Sequence, residues 1–213
     1  LRDVCRFRQS LVEARTALKN QHSELSESRF VAKNRAKRLR LLDGDIKRAQ
    51  EEMRKIVRQA PALEQEIGLL ISIYGVGFIT ATVVRAELGD LNRFGKAREL
   101  TAHAGLNPNE HNSGTSVRHK TRMSKQGNHR VPQALYMAAM VAIQGDNDFA
   151  QSYHRFVRSG MVGAAALAVI MRKLLVLMRA IIISKKPFDP HYKRCAKPSG
   201  KTGNPQPALC TSP

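Results

Sequence analysis

Residues 62–88 read ALEQEIGLLISIYGVGFITATVVRAEL, and the fold turns on how they are parsed. The first part, 62–73, is rich in Leu and Ile and predicts a helix. Tyr74-Gly75-Val76-Gly77 interrupts it, and a helical pattern resumes over 80–88. Two glycines separated by one residue, between two short helices, make a tight hairpin. Their backbone N–H groups, beside a helix N-terminus, can hold a phosphate. Gly75 and Gly77 are therefore candidate anion contacts, with a purely structural turn as the competing reading.

The same alphabet continues on both sides. Residues 1–60 are rich in Arg, Lys, Glu, Gln, Ala and Leu, with Gly44 the one helix breaker. This predicts long polar helices forming an antiparallel pair, with a turn near Leu42-Asp43-Gly44-Asp45. Ile46, Ala49, Met53, Ile56, Val57 and Ala60 recur at three- and four-residue steps, and Pro61 starts or kinks the next helix. That stripe is thin, so the arm needs a partner helix, within the chain or from another subunit; a homo-oligomer joined through the arm is the expectation. Residues 30–40 add a dense cationic run, either a solvated face or a nucleic-acid contact.

Downstream, Gly89-Asp90 closes the second hairpin helix, 97–104 forms a short helix ended by Gly105, and further helices cover 131–143, 146–157 and 164–183. The apolar run 161–183 does not read as a membrane span, because Arg172, Lys173 and Arg179 would each cost roughly 2.5–3.5 kcal/mol at a bilayer centre. Beyond about Tyr192 the chain turns polar and rich in proline and lysine, a composition that predicts disorder. Neither a strand pattern nor an internal repeat stands out. The expected fold is all-α: a coiled-coil arm over 1–67, a compact helical domain over 68–190 and a tail over 191–213.

Charge narrows the function. Lys and Arg number 36 against 17 acids, a formal charge of +19 over 213 residues. Such a field is out of place in an enzyme of small metabolites and attracts nucleic acid. Cys5, Cys195 and Cys210 are too far apart for a metal motif, and their odd number argues against a disulfide framework, which fits a reducing cytoplasm, here at the nucleoid. His111, His119 and His129 have no cysteine partners, so no metal site is read from them. The chain opens with Leu1 and runs directly into a helical pattern without a signal peptide, as expected of a processed chain or a piece of a longer one.

Chemistry concentrates in residues 107–130, NPNEHNSGTSVRHKTRMSKQGNHR. Arg118, Lys120, Arg122, Lys125 and Arg130 face one acid, Glu110, and the segment lacks any apolar period, so it reads as loop. A hydroxyl in a cationic loop suits a phosphodiester: arginines and lysines bind the non-bridging oxygens and stabilise the pentacovalent transition state. Gly114 lets the backbone approach a phosphate and uncovers Ser113, the first choice of nucleophile. Ser116 and Ser124 are alternatives, and His111 is a candidate base. Ser124-Lys125-Gln126-Gly127-Asn128 reads as a phosphate grip at the start of a helix, with Gly127 for close approach and Asn128 as a cap.

Taken in order, SIYGVG, AELGDLNRF, AGLNP, SGTS, RMSKQGN, ALYMAAMVA, MRKLL and PFDP resemble the C-terminal transposase domain of the bridge-RNA-guided insertion-sequence transposases. Those enzymes pair an N-terminal RuvC-like DEDD domain with a C-terminal serine domain. The resemblance covers about residues 68–190, and the basic arm is similar to the coiled coil joining the two domains. Beside the helix-hairpin-helix pattern read from the glycine turn, it implies DNA binding, and cleavage and transfer of DNA strands by a serine that becomes joined to DNA, here Ser113. It implies a structured guide RNA as partner, dimers or tetramers, and Mg²⁺ held by the DEDD domain rather than by this chain.

Three departures accompany it. No stretch of these 213 residues resembles the DEDD domain, the family's hairpin proline is Tyr74, and the usual arginine after the SKQGN block is Pro132. Without the metal-binding carboxylates the isolated chain is expected to be inactive in cleavage. A non-catalytic nucleic-acid-binding remnant or regulator is the alternative function.

Overall fold

The computed structural model describes residues 1–21, 28–109, 112–113, 117–118, 122–123 and 127–190. Among these the fold class is all-α, as expected, with eight α-helices besides four two-residue strands: α1 (Arg2–Asn20), α2 (Arg29–Arg58), α3 (Pro61–Ile71), α4 (Phe78–Leu88), α5 (Ala97–His103), α6 (Arg130–Ala142), α7 (Asp148–Arg158) and α8 (Gly163–Ser184). The tail 191–213 lies outside the described residues.

The arm is a helical pair, with its turn elsewhere than expected. Helix α2 runs without a break through Leu42-Asp43-Gly44-Asp45, so the chain reverses between α1 and α2 instead. Ser28 caps α2, its Oγ accepting from Val31 N–H. A glycine inside a helix costs about 1 kcal/mol relative to alanine. Packing on α1 offsets that, and the flanking acids are neutralised: Asp43 pairs with Arg15 of α1 at 2.6 Å, and Asp45 pairs with Arg48. Cys5 packs with Met53 while Arg15 meets Asp43, so the two helices run antiparallel.

The compact part is organised around α8. Its Ala166, Leu167, Ile170, Met171, Leu174, Leu175, Met178, Ile181 and Ile182 are buried against α3, α5, α6 and α7. The helix tolerates its charges because they reach out of the core. Arg179 donates to the carbonyls of Phe94 and Gly95 from 2.6 to 3.1 Å, and Lys173 Nζ donates to Ser152 Oγ at 2.9 Å. No helix among the described residues is long and apolar enough to cross a membrane.

Pro61 occupies the first turn of α3, where its missing N–H costs nothing. Between α3 and α4, Ile73 and Val76 point into the core and Gly75 takes φ +83°. The hairpin is thereby pinned against α6. A Cβ on Gly75 would stand 2.5 Å from the Ala138 carbonyl oxygen and 2.9 Å from the Ala142 nitrogen.

Candidate active loop and nucleic-acid interface

The cationic segment leaves from, and returns to, one place: the C-terminal end of α5. On the way out, Gly105 turns at φ +69°, Leu106 N–H donates to Thr101 C=O at 2.9 Å, and the buried Thr101 hydroxyl donates to Asn107 Oδ1 at 2.9 Å. On the way back, Asn128 N–H donates to His103 C=O at 3.2 Å. Gly127 sits there at φ +120°; a Cβ would meet the His103 oxygen at 2.8 Å and the Gly105 nitrogen at 2.9 Å. Its glycine character thus follows from two backbones touching.

Between these moorings the segment expected as loop contains two short antiparallel ladders. Pro108–Asn109 (β1) pairs with Arg122–Met123 (β4), and Asn112–Ser113 (β2) pairs with Val117–Arg118 (β3). The ladders are nested, so Ser113 lies at the end of a hairpin, opposite Val117, with Arg118 and Arg122 on the returning arm. Two-residue strands of polar residues carry no hydrophobic alternation, which is why periodicity misses them. His111, Gly114, Ser116, His119, Lys120, Ser124, Lys125 and Gln126 lie outside the described residues.

Asn128, expected as the cap, stands one residue before the N-cap position of α6, which is His129, and its Oδ1 accepts from Arg130 N–H at 3.0 Å. Its other amide atom, Nδ2, donates to Glu87 Oε2 at 2.7 Å. Glu87 belongs to α4 and its side chain is only 1% exposed. Arg6 of α1 reaches the same carboxylate with two bonds, Nε to Oε1 at 2.9 Å and Nη2 to Oε2 at 3.0 Å. Arg6 first, then Asn128 and the charge of Arg130, hold the Glu87 carboxyl down at about 2 although burial pushes it up. Sequence reading missed Glu87 and Arg6. The available signal was a lone acid among apolar residues in α4, on the inner side of a strongly cationic chain.

Glu87 gives a pH prediction. A carboxyl whose folded-state pKa lies below its unfolded value adds stability above pH 4.5, and that stability is lost as pH falls toward about 2. With solvent screening on the half-exposed Arg6, the loss should be about 1–2 kcal/mol. Urea titrations at pH 5 and pH 2.5 should show it in the parent and not in Glu87→Gln; an equal loss in both proteins would remove Glu87 as its source.

Two concavities flank Arg130. One, about 530 Å³, is lined by Ala102, His103, Gly127, Asn128, His129 and Arg130. The other is a largely apolar groove of about 1220 Å³ between α1, α4, α6 and α8, reached by Arg8, Arg130 and Arg172. Cys5 lines it, but burial pushes its thiol up to about 11, which removes it as a nucleophile. Of the hairpin glycines, Gly75 faces α6, whereas Gly77 is exposed at the start of α4 with open space around it. Arg54 of α2 lies over the Phe78 ring at 5.1 Å, which puts a cation beside that helix start. The geometry thus brings Gly127, Asn128 and Arg130 together and leaves Gly75 and Gly77 on a separate element. Among the described residues no group of His, Cys, Asp or Glu could hold a metal ion.

Residues 68–155 match the family described as "Transposase IS116/IS110/IS902 family", a stretch that runs from the hairpin through the cationic segment into α7. The chain is 29% identical over 145 residues to the "Pilin gene-inverting protein" of Moraxella bovis, covering 68% of this chain and 45% of that protein. It is 28% identical over 144 residues to the "Insertion element IS110 uncharacterized 43.6 kDa protein" of Streptomyces coelicolor, covering 66% and 35%. A shorter stretch of 43 residues is 49% identical to the "Transposase for insertion sequence element IS1111A" of Coxiella burnetii, covering 20% and 12%. The chain spans less than half the length of these relatives.

Proposed function

We infer that this chain, whose residues 68–155 carry a transposase domain of the IS110/IS116 type, is the strand-transferring part of an insertion-sequence transposase acting on DNA. The observation that supports this most is where the match falls: it contains the cationic hairpin with Ser113 at its end. In this reading Ser113 Oγ attacks a backbone phosphorus. The Oγ–P bond forms, the P–O bond to one sugar breaks, and the freed sugar oxygen takes a proton while the serine gives one up. A sugar hydroxyl then attacks the serine phosphodiester, joining the strands and releasing Ser113. Arg118, Lys120, Arg122 and Lys125 neutralise the non-bridging oxygens, with Ser124, Gln126, Gly127, Asn128 and Arg130 at the returning end and Gly114 leaving room for the strand. The hairpin of Gly75 and Gly77, read as a helix-hairpin-helix, binds backbone phosphate away from the cleavage point.

The wider reading adds a structured guide RNA, oligomers formed through the α1–α2 coiled coil, and a RuvC-like DEDD domain. Mg²⁺ would be bound by that domain rather than by this chain. No step above is routed through the metal.

The test is salt dependence. If Arg118, Lys120, Arg122, Lys125 and Arg130 each neutralise one phosphate, log affinity for duplex DNA should fall against log salt with a slope of about −4.5. Fluorescence anisotropy at salt concentrations from about 50 to about 200 mM measures it. Affinity independent of salt would overturn the reading.

A further inference from the structure

We propose that Glu87 is a positioning residue that ties the returning end of the Ser113 segment to the first helix of the arm, so that seating of α1 sets where the hairpin stands. This rests on the transposase reading above for its functional consequence, though not for its geometry.

The cationic segment has two moorings, and both are on the end of α5. A hairpin held only there can swing about that one point. The side chain of Asn128 makes a connection in another direction. Both ends of its amide are engaged, Oδ1 by Arg130 N–H and Nδ2 on Glu87, so the bond to the start of α6 and the link to α4 are made by one group in one orientation. Glu87 in turn is held by Arg6, which lies 81 residues away in sequence on α1. Nearby, Arg2 Nε donates to Ala86 C=O at 2.8 Å, a second tie between the same two helices. Both carboxylate oxygens of Glu87 are taken by Arg6 and Asn128.

Stability alone does not account for the arrangement. Two well-packed apolar side chains in place of a buried ion pair are often as stable or more so. What a carboxylate adds is direction: it fixes an arginine fork on one side and an amide N–H on the other. Three elements, the arm, the hairpin helix and the loop anchor, are thereby held in a single register. With α1 unseated, Glu87 would lose its counter-charge and Asn128 its fixed acceptor.

The test exchanges donor and acceptor. Asn128→Asp keeps an acceptor for Arg130 N–H and sets two carboxylates against each other. Adding Glu87→Gln restores a bond of reversed polarity, with the new amide at position 87 donating to the new carboxylate at position 128. Hydrogen exchange of the amides that bond across the ladder of Asn112–Ser113 with Val117–Arg118 should rise by about tenfold or more in Asn128→Asp and in Arg6→Ala, and fall back toward the parent in the double variant. Thermal unfolding of each variant confirms that it is folded. In the chain supplied with a DEDD domain, strand transfer should follow the same pattern of loss and rescue. Unchanged exchange in both Asn128→Asp and Arg6→Ala, or a double variant no better than Asn128→Asp, would overturn the tie. If Asn128→Asp weakens DNA binding while exchange stays at the parent level, Asn128 acts as a phosphate contact and the tie is wrong too. Exchange that responds and is rescued, in a protein whose parent form never joins DNA, would uphold the tie and sink the transposase reading instead.

Discussion

Replacing Gly75 by alanine should destabilise the chain by about 2–5 kcal/mol. Two costs combine. At φ +83° an L-residue pays roughly 1–2 kcal/mol for the contact of its Cβ with its own backbone. The new methyl would also stand 2.5 Å from the Ala138 carbonyl oxygen and 3.0 Å from the Ala142 Cβ, and overpacking of this kind costs about 1–3 kcal/mol. The obstruction is helix backbone, so relief requires the hairpin and α6 to separate. Gly77→Ala is the internal control: its φ is −90° and nothing lies within 4 Å, so its cost should stay under about 1 kcal/mol. Urea unfolding of both variants measures the difference. Equal midpoints would mean that the hairpin does not pack on α6 as described. If the start of α4 contacts phosphate, as proposed, DNA affinity should fall in Gly77→Ala, while Gly75→Ala should act through folding.

Replacing Ser113 by alanine should remove strand transfer while leaving the affinity for DNA and its salt slope unchanged. Loss of a serine nucleophile costs on the order of 10³–10⁶ in rate, because no neighbouring group takes over the covalent step. The side chain carries no charge, so the phosphate contacts that dominate affinity remain. On the proposed reading the experiment supplies a RuvC-like DEDD domain, fused or in trans, and a labelled DNA substrate. A covalent protein–DNA species on a denaturing gel should form with the parent, Ser116→Ala and Ser124→Ala, and be missing with Ser113→Ala. An adduct that survives Ser113→Ala and disappears with either other variant would move the nucleophile to that serine.

Much of the architecture is local in origin and so is legible in the sequence. The interrupted helix at 62–88, the start of α3 at Pro61, the Gly89 and Gly105 stops and the long apolar α8 each follow from residues within one or two turns of each other. The arm shows where local reading fails. Gly44 with two flanking aspartates looks like a turn, yet α1 lies alongside and Arg15 and Arg48 meet those acids, so the helix continues. Gly75 and Gly127 illustrate the same limit in the site. Their sequence context suggests close approach of a phosphate; the structure shows each pressed against backbone of another element, Gly75 on α6 and Gly127 on the end of α5.

The sequence by itself determined the helical class, the basic character and the place of the cationic segment, because composition, propensity and charge are properties of neighbouring residues. Only the tertiary structure decided that Arg6, Glu87 and Asn128 form one network, and that the cationic segment begins and ends at the same helix terminus. Those residues are separated by 81 and 41 positions, and no spacing rule connects them. A buried carboxylate must find its counter-charge wherever packing delivers one, and which arginine arrives is settled by how the helices stack.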